Sequence, residues 1–488
     1  MEQAAKPERG LRHWMERVVK EAEKAGNGFE ADPVHDLRVA IRRCRSMADG
    51  FRMLDPHPAW KKMRKSAKAL FSALGDLRDV QVQMEWVQKL GVEIDPVRDK
   101  LITHFQEREQ FLKNNASAAL STFDTQQWLA WADDLDPRVE QVSIGGDAFQ
   151  VIALERWIEA HRLHGVAMKN RTAVSLHALR IGIKKFRYIV ENFLPELHEA
   201  WIKDLKSMQD VLGEIHDLDV LAATARQIRA YANPEQRAKW QNRIVTERST
   251  RLDKYRAKML GRDSLWTIWR NRLPQGEGLK QAILKKFEIW AFLREDDHLH
   301  TENVLHTSLK LYDSLISERL LPQIDFEGVS QRDLLTIAVL GHEAGRLGNG
   351  KHYKVVVKIF ERLDVPPGWS ELHLRIAGLV ARYHKGAPPA DTHAVYRSLA
   401  KSAKNVVNRL AGIIRLADAV VCQRNGAGGE IEVNTQNGAI VVSAVGLPER
   451  TREAERIAAA RHLLESVSGV PILVRASLRT AKFHRFEN

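Results

Sequence analysis

With 488 residues, 44% of them hydrophobic and 28% charged, the chain has an ordinary globular composition and enough length for about two to four hydrophobic cores. Its 75 lysines and arginines exceed its 62 aspartates and glutamates, and the formal charge of +13 favours anionic partners. Two distant cysteines exclude a disulfide framework and a thiolate metal cluster; the absence of a run of about twenty apolar residues and of a signal-like leader predicts a cytoplasmic protein with no membrane partner.

The first elements read as helix after helix. Residues 11–25 carry Leu11, Trp14, Met15, Val18 and Val19 on a helical period, and Gly26-Asn27-Gly28 closes them. Residues 34–51, VHDLRVAIRRCRSMADGF, form a second helix. At about 100° per residue, His35, Arg38, Arg42 and Arg45 share one narrow face, while Leu37, Ile41, Cys44 and Ala48 fall on an adjoining apolar sector. One face can pack into a core while its neighbour presents a row of cations. Between residues 34 and 68, ten basic residues stand against three acids, a surplus of more than half the net charge of the chain. Helices are predicted next over 60–74, after Asp55-Pro56-His57-Pro58, and over 80–90, before Asp95-Pro96.

The pattern then repeats. A helix over 153–164 places Trp157 where Trp14 stood, and residues 176–193, LHALRIGIKKFRYIVENF, align His177, Arg180, Lys184 and Arg187 beside Leu179, Ile183, Phe186 and Val190. The match continues downstream, where LGDLRDVQV at 74–82 pairs with LGEIHDLDV at 212–220. Asp79 then corresponds to Asp217, Lys68 to Lys206 and Lys65 to Lys203, with four more residues of spacing in the first copy. So long a period indicates a duplicated unit, whose two stripes would meet at one polyanion-binding surface. Asp79 and Asp217 are expected to hold stripe arginines or cap a helix. A linker is predicted over 273–278 and a helical region over 279–425. The tail reads as a hairpin of strands 430–433 and 439–444 around Asn437-Gly438, a helix over 450–466 and a strand over 470–475.

The paired H-x-x-R-x-x-x-[RK]-[RK]-x-R phrases, each followed by L-G-x-x-x-D, resemble the CHAD family of α-helical domains over residues 5–275, with repeats at about 5–140 and 148–275. The resemblance implies a mainly α, pseudo-symmetric helical bundle whose basic groove binds inorganic polyphosphate without a cofactor. Carried over position by position, the groove residues are His35, Arg38, Arg42, Arg43, Arg45, His177, Arg180, Lys184, Lys185 and Arg187, with Lys65, Lys68, Lys203 and Lys206 in support. The chemistry is consistent: arginine can give a phosphate two parallel hydrogen bonds and lysine a point charge. Polyphosphate has no bases to stack, and the stripes show no stacking rings of the kind that single-stranded nucleic-acid sites combine with a basic groove.

Residues 303–478 resemble the HD-type helical domain and small terminal domain at the C-terminus of the exopolyphosphatase and guanosine pentaphosphate phosphatase family. The likeness rests on His306, LLTIAVLGHEAG at 334–345, VARYH at 380–384 and IIRLADAV at 413–420. It implies an HD-like helical domain over 285–425 and a small α+β cap over 426–480. His306, His342, Glu343 and Asp418 would occupy the places of divalent-metal ligands, although glutamate stands where the usual signature has aspartate. Arg382, His384, Lys351, His352 and Lys354 would either extend a phosphate path or form a merely basic surface. Nothing ahead of this region resembles the actin-like domains, with their glycine-rich phosphate loops, that carry the hydrolytic centre in that family, and no G-x-x-x-x-G-K-[ST] occurs. The combined reading is a polyphosphate-binding protein with a non-catalytic HD-like module, located in the cytoplasm at polyphosphate granules and able to form oligomers. A metal-dependent phosphohydrolase and a non-specific nucleic-acid binder are the alternatives.

Overall fold

The computed structural model describes residues 10–295, 297–345, 352–422, 431–445, 447 and 451–477. The fold is mainly α, and the chain divides into two compact units, Met1–Leu279 and Lys280–Asn488. Among the described residues no helix is long and apolar enough to cross a membrane.

The first unit begins with α1 (Leu11–Ala25), α2 (Ala31–Phe51), α3 (Pro58–Ser66), α4 (Lys68–Leu90), α5 (Pro96–Ser121) and α6 (Thr125–Glu140). It continues with α7 (Asp147–Asn170), α8 (Ala173–Phe193), α9 (Pro195–Gln227), α10 (Pro234–Met259) and α11 (Leu265–Asn271). Helix α7 corresponds to α1, α8 to α2, and the uninterrupted α9 to α3 and α4 together. In the first copy the break falls at the buried Ala67, not in the 75–79 stretch that the sequence suggested, because Gly75 weakens the helix without supplying a competing cap. The extra spacing of that copy lies in the loop 52–57, where Leu194 alone joins α8 to α9.

Apolar spacing explains why the stripe helices hold still. Leu37, Ile41, Cys44, Ala48 and Phe51 of α2 are fully buried, as are Leu179, Ile183, Phe186, Val190 and Phe193 of α8. The Thr172 hydroxyl caps α8 by accepting from the Ser175 amide at 3.2 Å. The two stripe helices touch directly at their C-terminal ends, where Gly50 leaves room for Phe193. A Cβ at Gly50 would come within 2.3 Å of that ring, which itself stacks on Phe149 at 4.0 Å. Buried polar ties fix the periphery: Asp95 caps α5 and accepts from Trp240 Nε1 at 3.0 Å and Arg243 at 2.9 Å.

The boundary between units lies inside α12 (Gly276–Phe292), so the stretch read as a linker is half helical. The second unit continues with α13 (His298–Ser317), the short pair β1 (Asp325–Phe326) and β2 (Val329–Ser330), and the buried α14 (Gln331–Leu340). Then come α15 (His352–Phe360), α16 (Glu371–Arg382), α17 (Ala394–Arg397) and α18 (Lys401–Cys422). A three-stranded sheet follows: β3 (Ile431–Gln436) pairs antiparallel with β4 (Ala439–Val445), and β4 pairs parallel with β5 (Ile472–Ser477) through the crossover helix α19 (Thr451–Ser468). Positive φ at Asn437 and Gly438 gives the tight turn that the dipeptide predicts. Helix α19 lies against α18, close enough that a Cβ at Gly412 would stand 3.0 Å from Leu464. Lys351, read as part of a phosphate path, lies outside the described residues.

Candidate functional site

In the first unit, α2 and α8 bring their cations together around Tyr188. The Arg42 guanidinium lies 5.6 Å from the centre of that ring and the Lys184 ammonium 5.8 Å, one from each repeat. Burial and the charges of Arg180, Arg42 and Arg38 push the Lys184 ammonium down to about 8, against the opposing pull of Asp79. Among the described residues neither Arg42 nor Lys184 has an acidic partner within salt-bridge distance, and the buried Nε of Arg180 has no hydrogen-bond acceptor.

The two walls match in detail. Arg38 lies against Gly75, 3.5 Å from its carbonyl, and Arg180 against Gly213 in the equivalent L-G step. Asp79 stands 3.9 Å from Arg38. Its counterpart Asp217 is pushed up to about 6 by burial, with Arg180 opposing from longer range. His35 is lowered by desolvation and then by Arg78 and Arg42, while His177 faces His216 with 3.3 Å between their Nδ1 atoms. Arg78 and His216 occupy equivalent places in the repeated L-G-x-x-x-D segment. Neither was singled out from the sequence: alignment of the copies pairs them, one residue before the matched aspartates, but only the fold brings His216 to His177 and Arg78 near His35.

Three of the sequence-selected cations are used differently. Arg43 pairs with Glu191, donates to Asn192 at 3.1 Å and lies over Trp14 at 5.2 Å, so it ties α2 to α8 instead of lining the groove. One step along a helix is about 100°, which turns Arg43 away from Arg42. Arg187 shares the same Glu191 carboxylate at 3.5 Å. Arg45 donates to the Arg64 carbonyl at 3.0 Å and covers Phe71 at 4.8 Å. Lys65, Lys68, Lys185, Lys203 and Lys206 are exposed. The stripes also have aromatic partners that the sequence did not reveal, Tyr188 and Phe71, but both rings are overlaid by cations.

In the free protein the Lys184 ammonium is half-charged near pH 8 and loses its charge progressively above it, and a bound phosphate favours the charged form. Affinity for a polyanion, measured at constant ionic strength, is therefore expected to hold from pH 6.5 to 7.5 and fall about tenfold by pH 9.5, the worth of one charge-assisted hydrogen bond. Lys184→Arg should flatten that profile; an unchanged fall in the variant would assign the titration to another group.

The second unit buries a separate polar cluster. His300 from α13, His342 and Glu343 just beyond α14, and Asp418 from α18 offer ligand atoms all within 4.8 Å of one another. The expected His306 is not among them. Six residues on from His300, it is turned by about 240° and stands exposed. His300 Nε2 is 3.1 Å from Asp418 Oδ1. His342 Nδ1 must donate to the Val339 carbonyl at 2.6 Å, so its buried Nε2 turns a lone pair inward, with no hydrogen-bond partner and Glu343 at 3.9 Å. His384 is pinned in the same way to the Ala381 carbonyl. Neutral imidazoles fixed through one nitrogen, beside two carboxylates, are a donor set that suits a divalent ion. Lys385, however, reaches in to 3.2 Å from Glu343 and 3.6 Å from Asp418.

Fold and site together define the first unit as a duplicated α-helical domain with paired basic helices. Residues 9–226 match the family model of the CHAD domain, and the chain carries that domain. The crystal structure of the CHAD domain from the plant Ricinus communis is similar at 22% identity, covering 54% of this chain and 91% of that one, with a TM-score of 0.39. No curated protein matches the chain.

Proposed function

We propose that the first unit binds inorganic polyphosphate between α2 and α8. The observation that carries this reading is the Arg42 and Lys184 pair: two cations from different repeats meet over Tyr188 with no acidic partner among the described residues, and Arg180 and Arg38 stand near enough to depress the lysine. Like charges held this close destabilise the free domain, and a polyanion relieves them. The chain as a whole carries a formal +13, which steers such a ligand toward it.

Polyphosphate is favoured over RNA because the rings in this region serve the cations. Tyr188 underlies Arg42 and Lys184, and Phe71 underlies Arg45 and Arg38, so these faces do not form an open platform for bases. A polyphosphate binder of this kind is expected at cytoplasmic polyphosphate granules.

A polyphosphate titration across a salt series tests the proposal. Neutralising about four phosphates gives a log–log salt slope of roughly −3. Salt-insensitive binding, or displacement of polyphosphate by RNA at equal charge concentration, would overturn the assignment.

A further inference from the structure

We propose that the ammonium of Lys385 is the resident cation of the cluster in the second unit and competes with divalent metal for it, so that the chain holds a latent metal site. Glu343 and Asp418 place two carboxylates in nearly dry surroundings, with side chains 1% and 5% exposed. Buried carboxylates need compensating charge. His300 supplies a partner to Asp418 at 3.1 Å, and Lys385 spans the two acids at 3.2 and 3.6 Å.

An ammonium fits this cluster incompletely. It donates to carboxylates, but the His342 Nε2 lone pair, fully buried and directed at the same acids, has no hydrogen-bond partner. A divalent ion would use that lone pair together with His300, Glu343 and Asp418, an N2O2 set suited to zinc. Access exists: His300, Glu343 and Lys385 line a depression of about 260 Å³ that also reaches Asn303 and Cys422. Lys385 itself is 37% exposed, so its long side chain can withdraw toward solvent. The position needed by the metal is thus held by a group that can leave.

The test is Zn²⁺ titration of the untagged full chain by calorimetry, with Co²⁺ absorption reporting ligand geometry. Lys385→Gln is expected to bind one Zn²⁺ per chain at least tenfold more tightly than the unaltered protein, and the Lys385→Gln/His342→Ala double variant to lose that gain. Equal affinity with and without Lys385, no binding by either protein, or a gain that survives His342→Ala would overturn the proposal. Should Lys385→Gln fail to fold alone, recovery of its helical circular dichroism on refolding with Zn²⁺ supports the site, and failure to recover counts against it.

Discussion

Replacing Arg42 and Lys184 together by glutamate is expected to remove polyphosphate binding, by a factor of about 10³ or more. Each of the two cations can give a charge-assisted hydrogen bond worth roughly 1.5–3 kcal/mol, so deletion alone costs about 3–6 kcal/mol, and reversed charge adds repulsion. Both side chains lie over Tyr188 and lack acidic partners among the described residues, so the double variant breaks no ion pair of the fold. The circular dichroism spectrum and Tm should therefore change little. Lys65→Glu with Lys203→Glu, the same charge change at exposed positions, is expected to cost under tenfold, because screening weakens sites that solvent surrounds. Equal losses from the two pairs would mean that net charge, not a built groove, holds the ligand.

The sequence made the duplicated helices legible because helical periodicity separates a buried sector from a charged one, and the apolar residues it selected, from Leu37 to Val190, are indeed buried. Periodicity does not say what faces a helix. Arg42 and Arg43 are adjacent in an arginine pair, yet one meets Tyr188 and the other Glu191 of the opposite helix, a distinction made only when α8 arrives. His300 and His306 lie on one helix, and their spacing alone could not say which would meet Asp418, more than one hundred residues away. Lys385 was invisible for a related reason. It follows the selected His384 directly, but a lysine does not belong to a pattern of metal ligands, and only the packing of α16 against α18 brings its ammonium to the carboxylates.

Glu191→Ala is expected to destabilise the first unit by about 3–5 kcal/mol, the usual cost of removing one partner from a buried ion pair. The carboxylate, with its side chain 6% exposed, receives Arg43 from α2 and Arg187 from its own helix, and His198 lies 3.9 Å away. Removing it strands two guanidiniums beside the already crowded Arg42 and Lys184. It also loosens the crossing at which Asn192 accepts from Arg43 and donates to Ser46 at 2.8 Å. For a unit of this size the loss lowers Tm by roughly 10 °C. Glu191→Gln keeps an acceptor for one arginine and should fall between the parent and the alanine variant. The same electrostatics couples this position to the ligand: with Glu191 gone, the uncompensated positive charge near the groove increases, so polyphosphate should raise the Tm of Glu191→Ala by more degrees than it raises that of the parent. A smaller rise in the variant would show that Glu191 shapes the groove instead of opposing the anion, and that Arg43 and Arg187 contribute to binding only while it holds them.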